Sequence, residues 1–153
     1  MKPVTKLIPP ALYRKIHQVL PIVTVDLVVK NNQEFLLVKR KNNPEANAWY
    51  FPGGRVLKGE RLVETAKRKL KEEVGVSGKN WKFLGVHDHF YNPKASYFKG
   101  FASHVVAIVF EVEVKRKVKI TLDDQSSDFK WFRKIKANSD PYLRTFLKIS
   151  GFR

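Results

Sequence analysis

One glycine-bounded segment, residues 54–76, constrains this 153-residue chain more than any other stretch. Apolar residues recur there at helical spacing and form a single stripe: Val63, Ala66, Leu70 and Val74. Gly75 follows where a left-handed residue commonly ends a helix, and Pro52-Gly53-Gly54 forms a turn before it. The pattern predicts a helix over 62–74 that packs its apolar stripe against a core.

The charged residues of this helix divide between two positions. Glu64, Arg68 and Glu72 stack at i, i+4 spacing on the face away from the apolar stripe. Glu73 lies close to Leu70 on the helical projection, at the border between core and solvent. A carboxylate fixed there can bind a hard cation such as Mg2+, which prefers oxygen ligands. The glycine turn can bring backbone carbonyls close to the same place.

The rest of the chain alternates between strand and helix patterns. We predict strands over 22–29, 34–39, 49–51, 82–90, 104–114 and 129–132, and further helices over 11–20 and 141–149. Asp140 is a suitable N-cap for the last helix. Residues 92–101 read as a surface loop over the site, and 123–128 as a polar loop. We expect one α/β domain over 1–153 with a mixed sheet between helices, and 1–20 as a helical extension.

The composition limits the compartment and the partners. Thirty Lys and Arg residues against fourteen Asp and Glu residues give a net charge of +16, which attracts polyanions such as nucleotide phosphates. Nucleic acid is a less favoured partner, although the positive charge does not exclude it. There is no cysteine, so thiolate metal sites are excluded. No apolar run approaches the roughly 18 residues of a membrane span, and residues 1–20 lack the apolar core of a signal peptide. We therefore expect a cytoplasmic protein without a membrane partner.

Residues 54–76 resemble the Nudix box, G-x5-E-x7-R-E-U-x-E-E-x-G-U, in which U is a bulky aliphatic residue. The matching residues are Gly54, Glu60, Arg68, Leu70, Glu72, Glu73, Gly75 and Val76. Lys69 stands where the pattern has a glutamate. The resemblance implies an α/β/α sandwich with a mixed β-sheet. It also implies a metal-dependent hydrolase of nucleoside diphosphate compounds.

One branch of the family, the GDP-mannose mannosyl hydrolases, shares the loss of this glutamate. The resemblance to that branch covers about residues 21–132 and includes the segments PIVTVDLVV, FLLVKR, FPGGRV, GVHDHFY, HVVAIVF and DDQSSDFKW. It implies hydrolysis of GDP-mannose or GDP-glucose to GDP and free sugar, by attack on the anomeric carbon. It further implies one Mg2+ as cofactor, for which Mn2+ could substitute, and a homodimer.

The site residues are carried over from this resemblance. The implied metal ligands are the Gly53 carbonyl, Glu73 and Gln125. The implied contacts to substrate or leaving group are Asp26, Arg40, Arg55, Arg68 and His89. Arg68 is also expected to orient a carboxylate. His104, in the segment HVVAIVF, joins His89 as a further substrate contact or substitute base.

Two departures from the branch concern the chemistry. Ser126 stands where the branch has its general-base histidine, and a neutral hydroxyl cannot act as that base unaided. Asp123, Asp124 and Asp128 lie near it in sequence, and we rank Asp124 first as the replacement. Glu72, in turn, restores a carboxylate that the branch lacks. Glu72 could be a second metal ligand and favour attack at phosphorus.

Three functions remain open from the sequence. The first is release of free sugar from a nucleoside diphosphate sugar. The second is a Nudix pyrophosphohydrolase that cleaves between the two phosphates of a nucleotide sugar or nucleotide. The third is a catalytically weak module that binds RNA or nucleotides, for which steep salt dependence of binding would be the signature.

Overall fold

A computed structural model describes residues 1–115 and 119–153. In this part of the chain three helices and seven strands follow one another in this order: α1 (Pro10–Val19), β1 (Ile22–Asn31), β2 (Glu34–Arg40), β3 (Trp49–Tyr50), β4 (Gly53–Arg55), α2 (Leu62–Val74), β5 (Lys79–Tyr91), β6 (Ser103–Glu113), β7 (Ser126–Phe132) and α3 (Pro141–Ile149). Strand β1 lies at the centre of the sheet, whose main order is β3-β2-β1-β6-β5. It pairs in parallel with β6 and antiparallel with β2 and β4, so the predicted mixed sheet is confirmed.

Helix α2 covers one face of this sheet. Ala66, Leu70 and Val74 of the predicted apolar stripe are buried, whereas Val63 is only half-buried. The helix packs on alternate residues of β1, among them Val25, Leu27 and Val29. Because successive side chains of a strand point to opposite faces, the residues between them face the other layer. Gly75 ends α2 with φ of 75°, the left-handed conformation that glycine adopts without steric cost.

Helix α3 covers the opposite face. Tyr142, Leu143, Phe146 and Leu147 are buried there against Val28, Phe35 and Val109. The carboxylate of Asp140 accepts a hydrogen bond of 2.7 Å from the backbone N–H of Tyr142, which confirms the predicted N-cap. With a helix on each face of a mixed sheet, the predicted α/β/α sandwich is confirmed.

Three details of the prediction need correction. The polar loop expected over 123–128 is shorter, because β7 begins at Ser126, which pairs with Arg40 of β2. Residues 53–55, expected to be only a turn, form the short strand β4 against β1. Glu73 is 4% exposed and lies inside the core border, since Lys69 of the same helix covers it. No helix in residues 1–115 and 119–153 is long and apolar enough to cross a membrane.

Replacement of Leu70 by alanine should lower the free energy of unfolding by about 2–5 kcal/mol, because its buried side chain would leave a cavity between α2 and the sheet. Urea denaturation followed by tryptophan fluorescence measures the change. Leu62→Ala, at an exposed position on the same helix, should cost about 0.5 kcal/mol or less. Equal losses in the two variants would contradict the packing described for α2.

Candidate active site

A cavity of 540 Å³ opens beside strand β4. The three residues of β4 pair with β1 at Asp26, Val25 and Thr24, so that Gly53, Gly54 and Arg55 follow one another along one wall. Helix α1 and the 92–101 loop contribute to the opposite end. Its polar and charged side chains include Asp26, Arg40, Arg55, Arg68, Lys69, His89 and Gln125.

Arg68 connects α2 to this wall. Its guanidinium donates to both carboxylate oxygens of Glu60, at 2.7 and 2.8 Å, and to Glu72 at 3.0 Å. It also donates to the backbone carbonyl of Arg55 at 3.1 Å. Hydrogen bonds from Arg68 and Thr65 hold the pKa of Glu60 down at about 2. The predicted orienting role of Arg68 therefore has a physical basis in a two-pronged arginine–carboxylate pair.

Lys69 is buried and reaches two carboxylates of its own helix. Its ammonium lies 2.7 Å from Glu73 Oε1 and 3.2 Å from Glu72 Oε2. Burial raises the pKa of the Glu73 carboxyl to about 7, although the Lys69 charge opposes this rise. Lys69 lines the cavity, whereas Glu73 does not. The cation therefore covers the carboxylate on the cavity side.

Asp26 is the one carboxylate among the described residues that line the cavity. Its Oδ2 accepts a hydrogen bond of 2.7 Å from the hydroxyl of Tyr142 in α3. Burial raises the pKa of Asp26 to about 6, against the opposing effects of Tyr142 and Arg40. A Cβ atom on Gly53 would clash first with the backbone carbonyl of Val25 and would also lie 2.6 Å from Asp26 Oδ1, so a glycine is needed there for β4 to approach β1 this closely.

His89 adjoins Asp26 within a group of aromatic rings. It packs on Tyr142 at 4.4 Å between ring centroids and on Tyr91 at 5.7 Å. Its Nε2 is buried without a hydrogen-bond partner. Burial, helped by the neighbouring His87, lowers the pKa of His89 to about 4, so the ring is neutral at neutral pH. A neutral imidazole can donate or accept a hydrogen bond to a substrate hydroxyl.

The other end of the cavity is aromatic. Tyr13 and His17 of α1 meet Tyr97 and Phe98 of the 92–101 loop, with ring centroids 5.2 to 5.8 Å apart. The guanidinium of Arg55 lies 5.0 Å from the centre of the Tyr13 ring. Both ring nitrogens of His17 are buried without a partner. This arrangement combines flat apolar surfaces with unused hydrogen-bonding atoms.

The family model of the NUDIX domain matches residues 20–148. The chain belongs to the Nudix family. It is 35% identical over 147 residues to the low-salt glycan biosynthesis protein Agl8 of Haloferax volcanii, covering 95% of this chain and 92% of that protein. It is 37% identical over 94 residues to an ADP-ribose pyrophosphatase of Methanocaldococcus jannaschii, covering 61% of this chain and about half, 52%, of that protein.

A solved structure agrees with this assignment. A MutT NUDIX hydrolase from Burkholderia pseudomallei superposes with a TM-score of 0.69 at 25% identity, covering 84% of this chain and 96% of that one. Helix α1 precedes the matched Nudix segment, yet it forms part of the cavity wall. The aromatic end of the cavity is thus built partly from outside the segment that the family shares.

Several predicted residues of the Nudix site do lie together. Asp26, Arg40, Arg55, Arg68, His89, Gly53 and Gln125 all line the cavity. His104 does not line it: its Nε2 contacts Asp88 at 2.9 Å, and its ring stacks on Phe90. Asp124 is exposed and does not line it either. Ser126 is buried in β7, so the position of the branch's base is closed off from the cavity.

Oxygen donors that could bind one divalent cation occur in and beside the cavity. Nudix hydrolases generally use divalent metal ions. Glu73 supplies a buried carboxylate whose Oε1 is paired with the Lys69 ammonium, and Gly53 and Gln125 line the adjoining cavity. Among residues 1–115 and 119–153 no three acidic or histidine side chains converge as a metal cluster. Glu72, predicted as a further ligand, is engaged by Arg68 and Lys69 and lies outside the cavity lining.

Sequence reasoning missed three contributors to the site. Tyr142 looked like an ordinary core residue of α3, because nothing in its spacing points to Asp26 more than a hundred positions earlier. Tyr13 and His17 could have been noticed, since they are four residues apart and so share one face of α1. The partners of that face, Tyr97 and Phe98, are distant in sequence.

The Glu60–Arg68 pair should make stability depend on pH. The pKa of Glu60 is lower in the folded protein than its usual value of 4.5, so its stabilising contribution is full above that value. The contribution is lost as pH falls toward about 2. Glu60→Gln should therefore cost about 1–3 kcal/mol at neutral pH and should flatten this acid-dependent loss.

Urea denaturation of both proteins across the acid range measures this effect. Glu34→Gln is the matched control, because it removes a carboxylate from an exposed pair with Arg133. Such a surface pair is worth about 0–1 kcal/mol. Parallel acid profiles for the wild type and Glu60→Gln would exclude the proposed stabilising role of Glu60.

Proposed function

We propose that this Nudix hydrolase cleaves a nucleoside diphosphate sugar, GDP-mannose or GDP-glucose, to GDP and free sugar by attack at the anomeric carbon. The observation that carries the proposal is the arrangement of the cavity. Aromatic rings, basic side chains and a single carboxylate occur in this one space. A base, a diphosphate and a sugar need surfaces of these three kinds.

The diphosphate would bind along β4. Arg55, Arg68 and Lys69 line that part of the cavity, and Arg40 lies nearby against the ring of Tyr50. Positive groups in a partly closed site stabilise the negative charge that develops on a departing phosphate. Arg55 lies 5.0 Å from the Tyr13 ring, so a diphosphate held by Arg55 would place the nucleoside against the aromatic end.

The sugar would then lie at the polar end, where Asp26 serves as the general base. Its carboxylate accepts a proton from water as the water oxygen bonds to the anomeric carbon. The bond from that carbon to the β-phosphate oxygen breaks, and its electron pair leaves with GDP. Tyr142 keeps one Asp26 oxygen occupied, and His89 offers a neutral ring to the sugar hydroxyls.

Attack at carbon is favoured over attack at phosphorus by the state of helix α2. The pattern's glutamate at position 69 is a lysine, whose ammonium contacts both Glu72 and Glu73. None of the three acidic residues of the box, Glu60, Glu72 and Glu73, lines the cavity to activate water beside a phosphate. Asp26 can activate water, but it lies where the sugar is proposed to bind and not beside the diphosphate.

One Mg2+, with Mn2+ as a substitute, would be held by Glu73, Gln125 and the Gly53 carbonyl. When bound, it supplies positive charge to the leaving diphosphate. A homodimer and a cytoplasmic location remain predictions from the resemblance and the sequence.

The second candidate is a pyrophosphohydrolase that yields a nucleoside monophosphate and a sugar phosphate. Its support is the similarity to an ADP-ribose pyrophosphatase and the presence of Glu72 at the Nudix position. In that case Lys69 would have to release both carboxylates before they could act.

Phosphorus NMR of GDP-mannose, incubated with the protein and Mg2+ in 18O-labelled water, distinguishes the candidates. We expect GDP without label, because water bonds to carbon and the label then leaves with the sugar, as mass spectrometry of the sugar would show. GMP and mannose 1-phosphate with label on phosphorus would replace our proposal by the second candidate. Absence of turnover with either GDP-sugar would refute the proposed substrates.

Asp26→Asn should reduce kcat for sugar release by about 100-fold or more, since a general base contributes about 10²–10⁴-fold. Steady-state release of free sugar measures the loss. Tyr142→Phe keeps the carboxylate and removes only its hydrogen bond, so it should lose much less activity. An Asp26→Asn enzyme as active as the Tyr142→Phe enzyme would place the base elsewhere.

A further inference from the structure

Lys69 occupies an unusual position for a lysine. Its side chain is 8% exposed and its ammonium contacts Glu73, whose side chain is 5% exposed, at 2.7 Å. The same ammonium contacts the half-exposed Glu72 at 3.2 Å. Long lysine side chains normally extend their charge into water. Here the charge turns back along its own helix toward two carboxylates.

Strand β4 is shaped around this side chain. A Cβ atom on Gly54 would lie 2.5 Å from Lys69 Cε and 3.0 Å from its Nζ. Because Gly54 has no side chain, the end of the Lys69 side chain can occupy the space beside it. Gly54 and Lys69 line the cavity together, and Glu73 lies behind them.

We propose that the Lys69 ammonium occupies the divalent-cation site in the metal-free protein. A metal ion then binds Glu73 only when it displaces the Lys69 ammonium. The inference rests on the proposed function for the purpose of the metal, but not for the exchange itself. Two cations cannot share one buried carboxylate oxygen without strong repulsion. A metal ion must therefore move Lys69 away from Glu73 Oε1.

The exchange gives the displaced lysine a role. Lys69 lines the basic part of the cavity, so its ammonium, once released from Glu73, stays close to the place proposed for the diphosphate. The negative diphosphate then neutralises the Lys69 ammonium, which has lost its contact with Glu73. Metal and nucleotide should each strengthen the binding of the other, because linkage makes such coupling reciprocal.

Mn2+ binding to the whole chain, followed by electron paramagnetic resonance of the free ion at a fixed, mildly alkaline pH, tests the exchange. Lys69→Met keeps most of the buried stem and removes the charge, and Lys69→Gln is a second variant of the same kind. Both should bind Mn2+ about ten- to a hundredfold more tightly than the wild type, the scale on which groups beside a metal site alter its affinity.

Lys67→Met is the matched control, because Lys67 lies on the same helix and its side chain is exposed. It should bind Mn2+ as the wild type does, which separates a local exchange from a general change in net charge. GDP should tighten Mn2+ binding to the wild type more than to Lys69→Met.

Equal Mn2+ affinity in the wild type and both Lys69 variants would overturn the inference, as would absence of binding in all of them. An equal gain in Lys67→Met would also overturn it, since net charge would then explain the effect. The measurement with Mn2+ alone needs no substrate. Its failure is therefore distinguishable from a failure to release sugar from GDP-mannose.

Discussion

The pair between Arg68 and Glu60 is the interaction on which the geometry of the site depends. It joins α2 to the segment before it through two short hydrogen bonds, and a third bond from Arg68 ties the helix to the Arg55 carbonyl. This fixes α2 against β4. Lys69 can then run past Gly54, and Arg55 can stand between the Nudix helix and the aromatic end of the cavity.

The same contacts determine the charge of the cavity. The acidic residues of the Nudix box are used within the protein: Glu60 by Arg68, Glu72 by Arg68 and Lys69, and Glu73 by Lys69. The cavity is therefore lined by four basic side chains and a single carboxylate, that of Asp26, among the described residues. A site of this composition attracts a diphosphate but has few groups with which to activate water.

The sequence predicts what depends on local spacing. Helix α2 occurs over the predicted residues, with three of the four stripe residues buried and Gly75 at its end, because periodicity and capping are properties of neighbouring residues. Contacts between residues that are distant in sequence cannot be predicted from local spacing. Asp124 ranked first as a base because it is close to Ser126 in sequence, whereas the carboxylate inside the cavity belongs to β1 and is oriented from α3.

Lys69 is the residue whose role is least predictable from the sequence alone. In the sequence it is a mismatch, and a mismatch suggests only that a function of the missing glutamate is lost. In the fold the lysine reverses the charge at a buried position and neutralises the carboxylates beside it. A nearby carboxylate would strengthen the hold on a metal ion, whereas a nearby ammonium must be moved before one can enter. The substitution therefore changes both the charge that a substrate meets and the order in which cations can occupy the site.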